Sequence, residues 1–282
     1  MKCTIALAQT DSRVGDLHAN REAHLQAIDR AIRKKAHLVV FPELSLTGYS
    51  LRDLAAEKAL DPQSDRFLDP LLKKSKQISI AFGFVESGKN HGVYNSALFL
   101  EDGTIKHVHR KVYPPTYGMF EEGRYFSPGN SVQAFDSKLG RFGMLICEDV
   151  WHLSLPYLLA LDGAEAILCL TASPTRLGGA KETLVTADVN YEHQRAYARL
   201  LNVYMAFVNR VGIEDGVNFW GGSILTDPNG TTLTAAKMFD EDLILGQLDS
   251  KQLQRARRAS RHFLDERPEI VARTLQKLNL HS

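Results

Sequence analysis

Two spacings of apolar and polar positions alternate along this chain, and they predict strands that alternate with helices. Short apolar runs bounded by turn residues predict strands at residues 4–8, 38–41, 78–85, 142–146, 166–170 and 203–208. Apolar residues at helical spacing predict helices at residues 23–36, 70–77, 154–161 and about 184–202. Asp102-Gly103 predicts a hairpin between strands at 94–100 and 105–112. A long loop is predicted at residues 113–130, and further strands are predicted at 218–225 and 243–248. This order favours one layered α/β domain over residues 1–282.

The stretch FGMLICEDVWH, residues 142–152, combines a predicted strand with a possible nucleophile. Its apolar run ends at Cys147, and a predicted helix and a further strand follow. A thiol in this unit lies at the carboxyl end of a parallel strand, where open α/β sheets bind ligands. Such a turn exposes the thiol and offers free backbone N–H groups beside it.

Two further reactive side chains follow predicted strand ends. Glu43 comes just after the strand that Pro42 stops, and Lys111 lies near the end of the second hairpin strand. A cysteine nucleophile needs a base for its proton and a positive group for the oxyanion, and these two residues supply both types. Because parallel strands of one sheet bring their ends to one edge, we expect Glu43, Lys111 and Cys147 to meet there. Inert core packing for the cysteine and solvation for the charges are the ordinary alternatives.

Composition narrows the function classes. The chain is 44% hydrophobic and 24% charged with a net charge of +1, so nothing favours bulk attraction to nucleic acid or membrane. No apolar stretch is long enough to cross a bilayer, and the N-terminus turns polar too soon for a signal peptide. Three cysteines, odd in number and far apart, fit free thiols in a reducing, cytoplasmic compartment.

Other patterns favour structural roles. His107 and His109 share a strand face, but no acid or cysteine follows at ligand spacing, so we expect a polar strand face and no metal site. Cys147 and His152 are too close in sequence for the usual cysteine–histidine pair. The basic run at 255–261 lacks interleaved aromatic residues, which favours a solvated helix or subunit contact over a nucleic-acid site.

Three ordered blocks carry a resemblance to a known family. They are FPELSLTGY at 41–49, HRKVYPPTYG at 109–118 and GMLICEDVW at 143–151. They resemble the signature blocks of the nitrilase superfamily of carbon–nitrogen hydrolases. The similarity is greatest to the glutamine-amidase branch, which occurs fused to NAD synthetases, and to its stand-alone relatives. The chain has no SGG-type ATP loop, so we expect no synthetase activity from it.

The resemblance implies a four-layer αββα sandwich that needs no cofactor. It implies a catalytic triad of Glu43, Lys111 and Cys147, and a second active-site glutamate at Glu122, with the adjacent Glu121 as an alternative. The Glu148 N–H would help Lys111 to stabilise an oxyanion. The residues expected at the substrate, as pocket walls or as ligands of its amino-acid part, are Tyr49, Tyr117, Phe120, Glu148, Trp151, Ser173 and Arg176.

The expected activity is hydrolysis of a small amide to a carboxylate and ammonia through a Cys147 thioester. The amide is glutamine-like or another aliphatic amide. The same triad also fits a nitrilase, and a non-catalytic partner subunit of a synthetase is a third possibility. The family also pairs its subunits through helices that flank the nucleophile strand. We therefore expect at least a homodimer that pairs through the helices at 154–161 and 184–202. Core packing of their apolar stretches is the alternative.

Overall fold

The computed structural model describes residues 2–175 and 180–278, with the backbone alone for residues 180–184. The strands in these ranges are β1 Lys2–Gln9, β2 Leu38–Val40, β3 Ser79–Ser87, β4 Val93–Glu101, β5 Thr104–Arg110, β6 Phe135–Ser137, β7 Gly140–Ile146, β8 Ala166–Thr171, β9 Pro174–Thr175, β10 Tyr204–Asn209, β11 Val211–Glu214, β12 Val217–Trp220, β13 Ile224–Thr226, β14 Thr232–Ala235 and β15 Asp242–Asp249. The helices are α1 Leu17–Arg33, α2 Leu54–Glu57, α3 Asp69–Lys74, α4 Glu122–Tyr125, α5 Ser154–Leu161, α6 Ala180–Leu201, α7 Ser250–Ala259 and α8 Pro268–Lys277.

Within the described ranges twelve of the strands form two six-stranded mixed sheets. The first has the order β15-β1-β2-β3-β4-β5, and the second has the order β14-β13-β10-β8-β7-β6. β1, β2 and β3 run parallel, as do β7, β8 and β10. The hairpin β4–β5 extends the first sheet antiparallel, so β5 again points the same way as β2.

The apolar core divides into layers because the strands bury both faces. Along β1, Ile5 and Leu7 face the second sheet, while Ala6 and Ala8 pack against α1. Along β7, Met144 and Ile146 join the core between the sheets. This burial on both faces explains why the strands read as continuous apolar runs.

Helices cover the outer faces of both sheets. α1 and α3 pack on the first sheet, and α5 and α6 pack on the second. The result is the αββα sandwich that the resemblance implied. No helix among the described residues combines the length and apolar character that crossing a lipid bilayer requires.

Two local features differ from the sequence-based expectation. The strand expected over residues 218–225 is two strands, β12 and β13, because Gly221 and Gly222 adopt positive φ angles of 69° and 61° between them. β12 instead pairs with β11 and β9 in a small third sheet. The long loop after β5 also contains one helical turn, α4, which begins at Glu122.

Candidate active site

Glu43, Lys111 and Cys147 follow the carboxyl ends of β2, β5 and β7. The expectation of a single sheet is wrong, because β7 belongs to the second sheet while β2 and β5 belong to the first. The two sheets pack face to face, and their strand ends meet at one edge of the sandwich. The cluster therefore lies between the sheets, which explains why Glu43 and Lys111 are only 1% exposed.

The Lys111 ammonium holds the cluster together. Its Nζ donates to Oε1 of Glu43 at 2.7 Å, and to Oε1 and Oε2 of Glu122 at 2.7 and 2.8 Å. A buried ammonium is stabilised only if its donors find charged or polar acceptors, and two carboxylates meet that need here. The lysine therefore fixes the relative positions of two acidic side chains from distant segments.

The Glu43 carboxylate has two more partners that sequence reasoning missed. Asn95 donates from Nδ2 to Oε1 of Glu43 at 2.8 Å and to Oε2 of Glu122 at 3.3 Å. The backbone N–H of Ala172 donates to Oε2 of Glu43 at 2.9 Å. The Ala172 contact is made by the backbone, so side-chain identity does not reveal it. Asn95 lies within a hairpin strand that carried no motif.

Glu122 occupies the second acidic position, and its neighbour Glu121 points to solvent. Glu122 is 5% exposed, whereas Glu121 is classed as exposed. Tyr49 donates its hydroxyl to Oε1 of Glu122 at 2.6 Å. Tyr49 thus contacts the buried Glu122 carboxylate. The two residues line a cavity of about 240 Å³ that is separate from the cavity at Cys147 described below.

The charged groups of the cluster shift one another's pKa values. Burial alone would lower the pKa of Lys111, but the Glu122 and Glu43 carboxylates outweigh it and raise that pKa well above its usual value. Burial raises the pKa of Glu122, and Lys111 opposes the rise. Burial and then the Glu43 charge raise the pKa of the Cys147 thiol well above its usual value, against the opposing effect of Lys111. The resting thiol therefore keeps its proton and needs a base to react.

The backbone at Cys147 is strained. Its φ angle is +46°, in the left-handed region that a side chain with a Cβ rarely adopts, and a 3-10 helix over Cys147–Trp151 begins there. Such a conformation costs on the order of 1–2 kcal/mol, and strained residues cluster at functional sites. The turn redirects the chain at the strand end and leaves Cys147 partly accessible.

A cavity of about 530 Å³ opens onto Cys147. Its walls include five of the residues that the sequence placed at the substrate: Tyr117, Phe120, Glu148, Trp151 and Ser173. Val185 and Asn190 from α6 complete the far side. Arg176 lies outside the described residues.

Polar groups inside this cavity have defined partners. Tyr117 donates its hydroxyl to the two carboxylate oxygens of Glu148 at 3.0 and 2.8 Å. Burial, followed by this bond to Glu148, raises the pKa of Tyr117 to about 12, so the phenol keeps its proton. The hydroxyl of Ser173 accepts from Nε1 of Trp220 at 3.2 Å. The cavity therefore combines aromatic walls with one anionic group.

A glycine allows the Glu43 loop to approach the sheet. A Cβ at Gly83 of β3 would lie 2.2 Å from the backbone nitrogen of Leu44 and 2.8 Å from the carbonyl carbon of Glu43. Neither atom is a flexible side-chain end, so no larger residue fits without moving the loop. Leu44 itself has a positive φ of 48°.

Comparison with known proteins places this geometry in a family. The sequence profile described as carbon-nitrogen hydrolase matches residues 4–258. The chain therefore belongs to the carbon–nitrogen hydrolases, enzymes that act on non-peptide carbon–nitrogen bonds. It is 33% identical over 248 residues to a glutamine-dependent NAD(+) synthetase of Acinetobacter baylyi, which covers 88% of this chain and 44% of the relative. A synthetase of the same description from Thermotoga maritima is 32% identical over 87% of this chain and 42% of the relative.

Solved structures share the fold. A glutamine-dependent NAD+ synthetase of Acinetobacter baumannii superposes with a TM-score of 0.79 at 29% identity, over 90% of this chain and 47% of that one. A carbon-nitrogen hydrolase of Helicobacter pylori superposes with a TM-score of 0.86 at 23% identity, over 98% and 99% of the two chains. Nit3 of Saccharomyces cerevisiae, described as a nitrilase superfamily member, gives 0.80 at 25% identity over 92% and 94%. This chain spans under half the length of the synthetases it matches.

Proposed function

We propose that this chain hydrolyses the amide of a small molecule to a carboxylate and ammonia through a thioester on Cys147. The observation that carries the proposal is the buried cluster in which Lys111 binds both Glu43 and Glu122 beside a thiol that opens into a cavity. A thiol with a raised pKa needs a general base, and an amide carbonyl needs an oxyanion donor. The cluster supplies one of each.

Acylation then follows from the proposed roles. Glu43 accepts the Cys147 proton while the sulfur attacks the amide carbon, and the carbonyl oxygen becomes an oxyanion. Lys111 and the backbone N–H of Glu148 stabilise that oxyanion. The intermediate collapses as Glu43 returns its proton to the nitrogen, and ammonia leaves.

Deacylation uses the same base. Glu43 accepts a proton from water as the water attacks the thioester carbon, and Glu122 helps to orient it. Collapse of this second intermediate releases the carboxylic acid, which loses its proton to solvent to become the carboxylate, and Glu43 returns its own proton to the Cys147 sulfur. Removal of an oxyanion donor from comparable acyl-transfer sites costs about 3–4 kcal/mol, so Lys111 is expected to be essential.

For the substrate we propose an amino acid that carries a side-chain amide, such as glutamine. The Glu148 carboxylate faces the cavity and suits an ammonium group, and Tyr117, Trp151 and Ser173 line the same space. By resemblance, Arg176 would bind the substrate carboxylate as a bidentate partner. The relatives described as glutamine-dependent support this substrate class.

A substrate panel tests the proposal. The protein is incubated with glutamine, with a neutral aliphatic amide of similar length and with the matching nitriles, and ammonia release is measured against a Cys147→Ala control. We expect turnover of the amides, with glutamine preferred. Turnover of nitriles alone would establish the nitrilase instead. No turnover of any compound would favour the non-catalytic partner subunit.

We also propose that the chain is one hydrolase domain that assembles at least as a homodimer in a reducing, cytoplasmic compartment. Around α5 and α6, Leu153, Leu158 and Leu200 are 67%, 45% and 56% exposed. Tyr197 and Leu201 are buried core residues instead. A Leu153→Asp/Leu158→Asp variant should lower the mass measured by light scattering at micromolar concentration. A monomeric parent would contradict the dimer.

A further inference from the structure

The buried carboxylate of Asp149 connects the Lys111 strand end to the Cys147 strand end. Its Oδ1 accepts from the backbone N–H groups of Val112 and Tyr113 at 3.0 and 3.1 Å. Its Oδ2 accepts from the backbone N–H of Ile146 at 3.1 Å and from Nε2 of His109 at 2.9 Å. Val112 directly follows Lys111, and Ile146 directly precedes Cys147, so one carboxylate holds both neighbours.

This contact spans the two sheets. Lys111 extends β5 of the first sheet, and Cys147 extends β7 of the second, so no strand ladder fixes the distance between them. Asp149 is 0% exposed and His109 is 3% exposed. A buried carboxylate needs this set of donors, because an unpaired buried charge is strongly destabilising. A carboxylate only accepts hydrogen bonds, so Nε2 of His109 carries a proton.

We propose that Asp149 and His109 are positioning residues that set the separation between the Lys111 ammonium and the Cys147 thiol. The inference rests on the proposed function for the roles of the two residues they position. Neither Asp149 nor His109 lines the cavity at Cys147, so both act through the backbone of their partners. Misplacement of a catalytic group by about 1 Å costs on the order of a hundredfold in rate.

The rate at which iodoacetamide alkylates Cys147 tests the proposal without any substrate. Cys3 and Cys169 are 2% and 0% exposed, so they should react slowly. Peptide mapping separates any adducts that they form from those of Cys147. Asp149→Asn keeps the size of the side chain but turns an amide group towards donors. We expect it to slow Cys147 alkylation by about tenfold or more, since a hydrogen bond to a charged group carries that much free energy.

Glu101→Gln is the matched control. Glu101 is 2% exposed and accepts from Ser79, Ser137 and Lys138 at 2.9, 2.6 and 3.2 Å. It is an equally buried carboxylate at the end of β4, with no contact to the Lys111 or Cys147 backbone. The rate of Cys147 alkylation in this variant should stay within about twofold of the parent rate. The Glu101 hydrogen bonds are far from Lys111 and Cys147, so their loss should affect the stability of the fold alone. Equal slowing in both variants, or none in Asp149→Asn, would overturn the proposal.

His109 variants keep the test decisive if Asp149→Asn does not fold. His109→Leu removes the donor to Asp149, and His109→Gln keeps a donor on a flexible side chain. We expect alkylation to slow in the leucine variant and to recover in the glutamine variant. Identical rates in the two variants would contradict the proposal.

Turnover adds a second, separable readout. If the parent hydrolyses amides, Asp149→Asn should lower kcat by about a hundredfold and leave KM nearly unchanged, because the cavity walls are intact. A change confined to KM would contradict a positioning role. If the parent hydrolyses nothing, the proposed function fails, and the alkylation rates still decide the role of Asp149.

Discussion

Nζ of Lys111 lies 2.7 Å from Oε1 of Glu43, although 68 positions separate the two residues in the chain. Both side chains are almost fully buried, so the contact is a charge-assisted hydrogen bond shielded from water. It joins the carboxyl ends of β2 and β5, which are not neighbours in their sheet. The acidic and basic partners of the proposed reaction are therefore preassembled before a substrate enters.

Asn95 should support the catalytic activity of the Glu43–Lys111 pair. Asn95→Ala removes the donor that Glu43 and Glu122 share, and we expect kcat/KM for the amide to fall by about one to two decades. Asn95→Asp places a third carboxylate beside the other two and should cost more. Steady-state ammonia release measures both variants. Parent-like activity in Asn95→Ala would show that the Lys111 and Ala172 contacts suffice.

Gly83→Ala should disturb Glu43 without touching it chemically. The new Cβ would lie 2.2 Å from the Leu44 nitrogen, so the loop that carries Glu43 must shift and activity should fall by about a hundredfold. Gly246→Ala on β15 is the control. Its Cβ would also meet an atom at 2.2 Å, but that atom is the flexible side-chain end of Leu225. Equal activity losses in the two variants would show that general destabilisation is responsible.

Local pattern predicted much of the fold. The helix over α5 has the expected bounds, and most strands lie within two residues of their predicted positions, because both signals depend on nearby residues. The division into two sheets was not deduced from pattern, since a buried strand has the same apolar signature in either sheet. Only the family resemblance indicated it.

The proximity of three residues could be predicted because each follows a strand end. Lys111 contacts Glu43, and both charges act on the Cys147 thiol, while the catalytic roles of these residues stay a prediction. Asn95 was missed because its role comes from hairpin register, which the sequence does not reveal. The strand face of His107 and His109, expected to be polar, is also buried, and His107 stacks on Phe135 with ring centroids 4.4 Å apart.

Buried histidines should make folding stability sensitive to acid. Burial lowers the pKa of His24 from 6.5 to about 4, and the pKa of His107 likewise falls to about 4. Between these values the unfolded chain binds protons that the folded chain does not, so stability falls as pH drops from 6.5 through 4. Each histidine should lower the free energy of unfolding by up to about 3 kcal/mol over this pH range.

Thermal unfolding across this pH range measures the effect. His24→Gln should show a shallower fall in Tm than the parent, because one of the two protonation sites is gone. His18→Gln, at an exposed position, should keep the parent slope. A parent slope in His24→Gln would refute the assignment.

Loss of Arg176 should affect glutamine and neutral amides differently. We predict that Arg176→Ala lowers kcat/KM for glutamine by about one to three decades, because loss of a buried charged hydrogen bond costs on the order of 2–5 kcal/mol. Hydrolysis of a neutral amide should change little, since the arginine does no chemistry on the amide carbon. Equal losses for both substrates would indicate a structural role.

The most direct test of the thioester mechanism is ammonia release by Cys147→Ala. This variant should fold like the parent, as circular dichroism and Tm can verify, and should release no ammonia from amides that the parent hydrolyses. Cys3→Ala and Cys169→Ala, which change cysteines buried in the core, should retain turnover. The account predicts complete loss of turnover in Cys147→Ala alone, and parent-like ammonia release from that variant would contradict it.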